Sequence, residues 1–240
     1  MIIGFATGCL YKTEIYPISN EAVNLMKESK INAIEFTAHD LDRLKKLKEL
    51  DRKQLSSFQY ISLHVPTFNI QYGLNAKSKL VIKTINDIQK KIRFNLVVFH
   101  PDTIIDLRIF SFCRFPLGIE NMDNRKKTGR LPEDLKKFIT KNNFKFVLDL
   151  QHIYDNDPTM GLADDFLKLY TKKLVQIHLS GSTPVCLHHP LYLTKQKIII
   201  KKAKSYNLPI IIESVFNPKD NLFNQIRKEF RYIKSFLNAD

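Results

Sequence analysis

The chain has 240 residues, of which 44% are hydrophobic and 26% charged, so it can bury one sizeable core behind an ordinary charged surface. It has no run of roughly 18 apolar residues and no basic leader, which argues against a membrane-spanning helix and a signal peptide. Its 3 cysteines lie far apart without a CxxC pair, which argues against a zinc ribbon or a disulfide scaffold. We therefore expect a cytoplasmic protein with no membrane partner.

The net charge is strongly positive, at +14 from 38 Lys and Arg against 24 Asp and Glu. Two interpretations stay open: a solvated lysine-rich surface, or a surface that attracts a polyanion such as nucleic acid. The basic clusters that could serve the second are Lys45, Lys46 and Lys48, and Arg125, Lys126, Lys127 and Arg130. The charge alone permits a nucleic-acid partner without requiring one.

Short runs rich in Ile, Val, Leu and Phe recur along the whole chain. Near-continuous apolar runs of this length are typical of strands that are buried on both faces. The predicted strands are 2–6, 33–36, 60–64, 96–100, 117–120, 146–149, 175–179 and 210–213.

Between these strands lie stretches in which apolar residues recur every three or four positions, as in amphipathic helices. Ser19 and Ser78 are suited to cap two of them, and Pro132 stands where proline often begins a helix. The predicted helices are 20–29, 41–50, 79–91, 103–110, 132–140, 162–171, 194–205 and 222–237. Strands that alternate with helices favour parallel pairing through right-handed crossovers. Eight such units in 240 residues predict an α/β fold, a single (β/α)8 TIM barrel over 1–240.

Ionisable residues end most of the predicted strands. The histidines are His64, His100 and His178, and the carboxylates are Glu35, Glu120, Asp149 and Glu213. The carboxyl ends of barrel strands meet at one mouth, so these side chains should converge there. Carboxylates brought together repel unless a cation neutralises them. A mixed set of histidine and carboxylate ligands favours zinc, manganese or iron over calcium, so we predict a divalent-metal site.

The motifs at these positions resemble those of the xylose-isomerase-like TIM barrel superfamily, which includes endonuclease IV and sugar isomerases and epimerases. In chain order they are His64-Val65-Pro66, His100-Pro101, Glu120-Asn121, Asp149-Leu150-Gln151-His152, His178 and Glu213. The resemblance extends over essentially the whole chain and implies a metal-dependent enzyme.

The endonuclease IV branch implies a phosphodiester hydrolase that acts on DNA at abasic sites and holds up to three zinc ions. By this resemblance His64 and His100 would share a metal with Glu120, which would bridge to a second metal. Asp149, His178 and Glu213 would hold that second ion, and His152 and His188 a third. Cys186 stands where the family has an aspartate, so its thiolate is a candidate zinc ligand.

The isomerase and epimerase branch implies a single metal, with manganese, iron or cobalt as alternatives to zinc. Its ligands would be Glu120, Asp149, His178 and Glu213. Glu120 and Glu213 would then be catalytic, moving a proton on a sugar or sugar phosphate through an enediolate. A third alternative is a barrel that binds metal for stability only. The histidine set and the positive charge lead us to favour the endonuclease-like interpretation.

Two further residues have open roles. Glu35, near the end of the second predicted strand, could contact substrate hydroxyls or form a salt bridge in a turn. His39 precedes a charged helix, and we predict a surface or capping residue there.

Overall fold

The computed structural model describes residues 1–184 and 186–238, with the backbone but not the side chain of Cys186. Eight parallel strands form the barrel: β1 Ile3–Ala6, β2 Ala33–Thr37, β3 Tyr60–His64, β4 Leu96–Phe99, β5 Leu117–Glu120, β6 Lys145–Asp149, β7 Leu174–Leu179 and β10 Ile210–Ile212. They close in the order β1-β10-β7-β6-β5-β4-β3-β2, which confirms the predicted (β/α)8 fold. A small antiparallel hairpin, β8 Gly181–Thr183 and β9 Cys186–His189, lies between β7 and β10 in the chain.

Helices connect the strands on the outside of the barrel. They are α1 Asn20–Glu28, α2 Leu41–Lys46, α3 Arg52–Leu55, α4 Ala76–Ile92, α5 Pro132–Ile139, α6 Leu150–Asn156, α7 Gly161–Tyr170, α8 Leu191–Thr194, α9 Lys197–Lys204 and α10 Leu222–Leu237. The side chain of Ser19 caps α1 by accepting a hydrogen bond from Ala22 N, as predicted. None of the helices in the described residues is long and apolar enough to cross a membrane.

Four predicted helices differ from those observed. The helix predicted as 41–50 ends at Lys46 and is followed by a 3-10 turn at Leu47–Glu49. The α4 helix is capped by Asn75 rather than Ser78, whose hydroxyl instead donates to Gln71 O. The stretch predicted as 103–110 instead contains a 3-10 helix at Leu107–Phe112. Asp106 caps this helix by accepting a hydrogen bond from Arg108 N, so the helix begins at Leu107. The aromatic and β-branched side chains of the helix favour α-helix only weakly. The stretch predicted as 194–205 divides at Lys195, whose φ of 58° ends α8 before α9 begins.

The core fills both the barrel and the layer between the strands and the helices. Phe99, Phe110 and Phe144 pack edge to face in that layer, with ring centroids 4.9–5.0 Å apart for Phe110 against the other two. Inside the barrel β1 and β2 approach so closely that a Cβ on Gly4 would lie 1.8 Å from Ala33 O. Glycine is therefore required at this point of β1. The tight closure holds the strand ends, and the residues that follow them, in a fixed arrangement around one mouth.

Candidate metal centre

The ends of β3, β4 and β5 bring His64, His100 and Glu120 together. The two imidazole Nε2 atoms lie 2.8 Å apart, and Glu120 Oε2 is 3.4 Å from the Nε2 of His64 and 3.3 Å from that of His100. One ligand atom from each residue lies within 4.8 Å of the others, close enough for all three to bind one ion. Both Nε2 atoms and the carboxylate oxygen thus face a common point.

A second group forms at the ends of β5, β6, β7 and β10. Glu120, Asp149, His178 and Glu213 each offer a ligand atom within 4.8 Å of the others. His178 Nδ1 is 2.5 Å from Glu120 Oε1 and 3.4 Å from Glu213 Oε1. Glu120 therefore faces the first group with one oxygen and the second with the other, so a single carboxylate can bridge two ions.

The electrostatics of these groups fit a bound cation. Glu120 Oε2 and Asp149 Oδ2 are buried, and neither accepts a hydrogen bond from the residues that the structure describes. Burial, together with the nearby charge of Glu120, raises the pKa of Asp149 to about 6 and that of Glu213 well above its usual value. The buried carboxylates of Glu120 and Asp149 and the half-buried one of Glu213 repel each other. A divalent cation removes that cost while satisfying the two free oxygens.

The β5 and β6 ends are fastened to one another by Asn121. Its side chain accepts from Asp149 N at 2.8 Å and donates to Asp149 O at 2.9 Å. Asp149 also caps α6, since its Oδ1 accepts from His152 N at 2.8 Å. His152 Nδ1 lies 2.8 Å from Asn121 O, so the ring is held with Nε2 toward the mouth. Asp149 and His152 thus lie together because they form the first turn of α6, a helix that the sequence analysis did not predict.

His152 and His188 lie beside the two groups without joining them. Their ring centroids are 6.0 Å apart, and His188 Nδ1 is 3.1 Å from Ser180 Oγ and 3.5 Å from Glu213 Oε2. Within 1–184 and 186–238, no set of three ligand residues includes either histidine. The prediction that Cys186 is a ligand concerns a side chain outside the described residues. Burial and the neighbouring His152 lower the pKa of His188 to about 3, so its ring is neutral.

Asp123 is a site residue that the sequence analysis missed. It is buried, its Oδ2 lies 3.7 Å from His152 Nε2, and Arg125 Nη2 donates to the same oxygen at 2.6 Å. Its position in the sequence could have indicated this role. Asp123 lies in the loop that follows the Glu120-Asn121 pair, and residues after a barrel strand face the mouth.

Glu35 is neither a turn residue nor exposed to substrate, which corrects both alternatives offered for it. It lies within β2, is fully buried and points into the barrel. Its Oε2 accepts from Ser62 Oγ at 2.7 Å and from Gln176 Nε2 at 2.7 Å, and is 3.4 Å from His178 Nε2. Burial opposes ionisation of Glu35, but His178 lowers its pKa below the usual value. The carboxylate thus lies behind His178, on the side away from Glu120 and Glu213, where Gln176 Nε2 is also 2.6 Å from His178 Nε2. Glu35 and Gln176 together orient the ring.

Replacing Glu35 with alanine is expected to reduce the free energy of unfolding by roughly 3–5 kcal/mol, since removing one member of a buried pair leaves the other uncompensated. Chemical denaturation at neutral pH measures the change. Alanine at Glu133, an exposed residue of α5, is the matched control and should change stability by less than about 0.5 kcal/mol. Equal stability of the two variants would show that Glu35 carries no such pairing.

A cavity of about 740 Å³ opens above both ligand groups. His64, His100, Glu120, His188 and Glu213 are among its lining residues. His39 also lines it and stacks on Tyr11 with ring centroids 4.0 Å apart. The capping role expected of His39 was wrong, because the cap of α2 is Asp40, whose side chain accepts from Arg43 N.

Basic side chains form part of the cavity wall. Lys12, Arg125 and Lys126 line it, so one of the two basic clusters noted in the sequence reaches the mouth. The other lies on α2 and the turn after it, where Lys45 pairs with Asp42 and Lys46 with Glu49. The wall therefore carries cations while the floor carries carboxylates.

Comparisons with known proteins connect this geometry to solved structures. No protein-family model matches the sequence, and a search of curated proteins found no match. Endonuclease IV from Thermus thermophilus has a TM-score of 0.69 at 15% identity, covering 99% of each chain. D-psicose 3-epimerase from Clostridium cellulolyticum has a TM-score of 0.68 at 10% identity, covering 100% of each chain. A xylose isomerase domain containing protein from Salmonella typhimurium has a TM-score of 0.63 at 12% identity, covering 99% of this chain and 97% of that one.

These likenesses extend over nearly the full length of each chain, at identities of 10–15%. The chain therefore shares a TIM-barrel fold with these proteins, which are of the kinds that the sequence motifs resemble. The similar structures include both an endonuclease and an epimerase, so the fold leaves the reaction open.

Proposed function

We propose that this protein is a divalent-metal-dependent phosphodiester hydrolase of the endonuclease IV type that acts on DNA at abasic sites. The observation that carries the proposal is the position of Glu120, whose two oxygens face two separate ligand groups. Paired metal positions are typical of enzymes that cleave phosphate esters by in-line displacement. Structural similarity to endonuclease IV adds support from the fold.

In this proposal His64 and His100 hold one ion, and Asp149, His178 and Glu213 hold another, with Glu120 between them. Bound divalent cations would supply Lewis acidity, which stabilises the charge that builds on the phosphoryl and leaving oxygens. Zinc is the proposed ion because the endonuclease IV branch implies it, and the mixed imidazole and carboxylate donors fit it. Glu35 and Asn121 hold His178 and Asp149 in place from behind.

The cations of the cavity wall provide the proposed contacts to DNA. Lys12, Arg125 and Lys126 lie around the mouth, and the chain carries a net charge of +14. Phosphate contacts from Lys and Arg position a nucleic-acid backbone and make binding sensitive to salt. In this interpretation the basic wall holds the strand while the acidic floor, once loaded with metal, receives the phosphate to be cleaved.

The alternative is a sugar or sugar-phosphate isomerase or epimerase with one metal. The cavity volume of about 740 Å³ favours it, because pockets for small molecules commonly measure about 300–1,000 Å³. Glu120 and Glu213 both contact His178 Nδ1, so two carboxylates lie at one point where a carbon-bound proton could be moved. Structural similarity to D-psicose 3-epimerase supports this alternative equally.

The deciding experiment combines metal analysis with a cleavage assay. Protein purified without chelator is analysed for metal per chain and incubated with a duplex that contains one abasic site, with an intact duplex as the control substrate. Two or more zinc ions with cleavage only at the abasic site would support the hydrolase. One ion without cleavage would reject it in favour of the isomerase or epimerase, and a chain that takes up no metal would reject both.

A further inference from the structure

The segment after β4 folds back over the side chain of His100. Pro101–Thr103 forms a single 3-10 turn, in which Thr103 Oγ1 donates to His100 O at 2.8 Å and Thr103 N to the same oxygen at 3.2 Å. This turn carries Asp102 at its centre and directs its carboxylate toward the ring that precedes it. The result is a carboxylate two residues after a candidate ligand, on the side of the ring opposite Glu120.

The two oxygens of Asp102 have different surroundings. Oδ2 accepts from Lys126 Nζ at 2.8 Å, which joins the loop after β4 to the loop after β5. Oδ1 lies 3.9 Å from His100 Nδ1. Both of these facing atoms are buried and have no hydrogen-bond partner in the described part of the chain. A shift of roughly 1 Å would bring them to hydrogen-bond distance and satisfy both.

We propose that Asp102, held by Lys126, is a positioning residue that keeps the proton of His100 on Nδ1 and thereby leaves Nε2 free to bind a cation. Such a residue is needed because of the surroundings of the other ring nitrogen, His100 Nε2. His100 Nε2 faces His64 Nε2 at 2.8 Å and Glu120 Oε2 at 3.3 Å. A neutral imidazole carries one proton, and a proton on Nε2 would close this position to a cation.

A carboxylate also lies behind the second ligand group, where Gln176 Nε2 is nearer to the ring, at 2.6 Å from His178 Nε2. Glu35 lies 3.4 Å from His178 Nε2, the nitrogen that faces away from Glu120 and Glu213. Histidines that bind metals commonly donate their other ring proton to a carboxylate or a carbonyl, which sets the tautomer and the ring orientation. Asp102 differs from Glu35 in reaching the cavity wall through Lys126. Asp102 therefore couples the first ligand group to the basic wall, whereas Glu35 couples the second to the barrel interior.

The inference rests on the proposed function only in taking His100 as a ligand, and its test uses zinc alone. Zinc affinity is measured by chelator competition for the wild type and for Asp102→Ala, Asp102→Asn and His100→Ala. His100→Ala should abolish binding at the first ligand group. Asp102→Ala should weaken zinc binding at the same group by about 10–100-fold. Asp102→Asn should lose less, because its amide oxygen can still accept the Nδ1 proton. Asp106→Ala is the matched control, since Asp106 lies on the same connection and pairs with Arg108 instead.

A second readout does not depend on metal or on activity. The ¹⁵N chemical shifts of the histidine rings in metal-free protein report which nitrogen carries the proton. His100 should be protonated on Nδ1 in the wild type and should lose that preference in Asp102→Ala. A wild-type proton on Nε2, or unchanged zinc affinity in a folded Asp102→Ala, would overturn the inference. If Asp102→Ala does not fold, the zinc affinity of Asp102→Asn and the ¹⁵N chemical shifts of the wild type test the inference instead. A wild type that takes up no zinc would reject the proposed function, and the ring shifts would still test Asp102.

Discussion

Glu120→Gln is expected to lower kcat/KM by roughly 10³-fold or more. This decrease corresponds to about 4 kcal/mol of lost transition-state stabilisation. The reason is geometric. Glu120 is the one residue that belongs to both ligand groups found in the described residues, with Oε2 near His64 and His100 and Oε1 near His178. A neutral amide cannot balance two cations, so both sites should weaken together. The measurement is kcat/KM on whichever substrate the wild type turns over, together with metal content per chain.

The matched control for this substitution is Glu133→Gln, which makes the same chemical change on an exposed position of α5. It should keep wild-type activity and metal content. Circular dichroism and thermal unfolding establish whether Glu120→Gln is folded. A folded variant that retains activity within about tenfold would remove Glu120 from the mechanism, whichever reaction the enzyme catalyses.

The second large effect is expected from substitutions in the second ligand group, at His178 and Glu213. His178→Ala and Glu213→Gln should each reduce bound metal, because each removes a ligand of the second group. The two variants differ in their effect on stability. His178→Ala also leaves Glu35 uncompensated in the barrel interior, so it should lose roughly 3–5 kcal/mol of unfolding free energy. Glu213 lies at the mouth, and Glu213→Gln should lower metal content with little loss of stability.

Elemental analysis and chemical denaturation of both variants test these expectations together. Undiminished metal in Glu213→Gln would contradict the proposed second site directly. Loss of metal in His178→Ala alone, with strong destabilisation, would point to partial unfolding rather than to a lost ligand. His189→Ala provides a matched control for His178→Ala, because His189 belongs to neither ligand group found in the described residues.

Much of the candidate centre was predictable because a barrel makes strand order and strand ends informative. His64, His100, Glu120, Asp149 and His178 follow or end buried apolar strands, and the structure brings all of them to one mouth. Their convergence follows from parallel strands in a closed sheet, whose carboxyl ends lie together. The assignment of His152 and His188 to a further ion stays a prediction. Their positions depend on a helix start and on the β8–β9 hairpin rather than on a strand end.

The sequence by itself determined the class of fold and the strand-end residues that converge at the mouth, because the burial of apolar strands and the spacing of amphipathic helices are local properties of the chain. Only the tertiary structure decided where Glu35 points, that Asp123 lies beside His152, and that Asp102 faces His100. Each of these depends on the direction of one side chain relative to residues from other strands. That direction is set by barrel closure and by contacts between distant loops, and no short stretch of sequence encodes it.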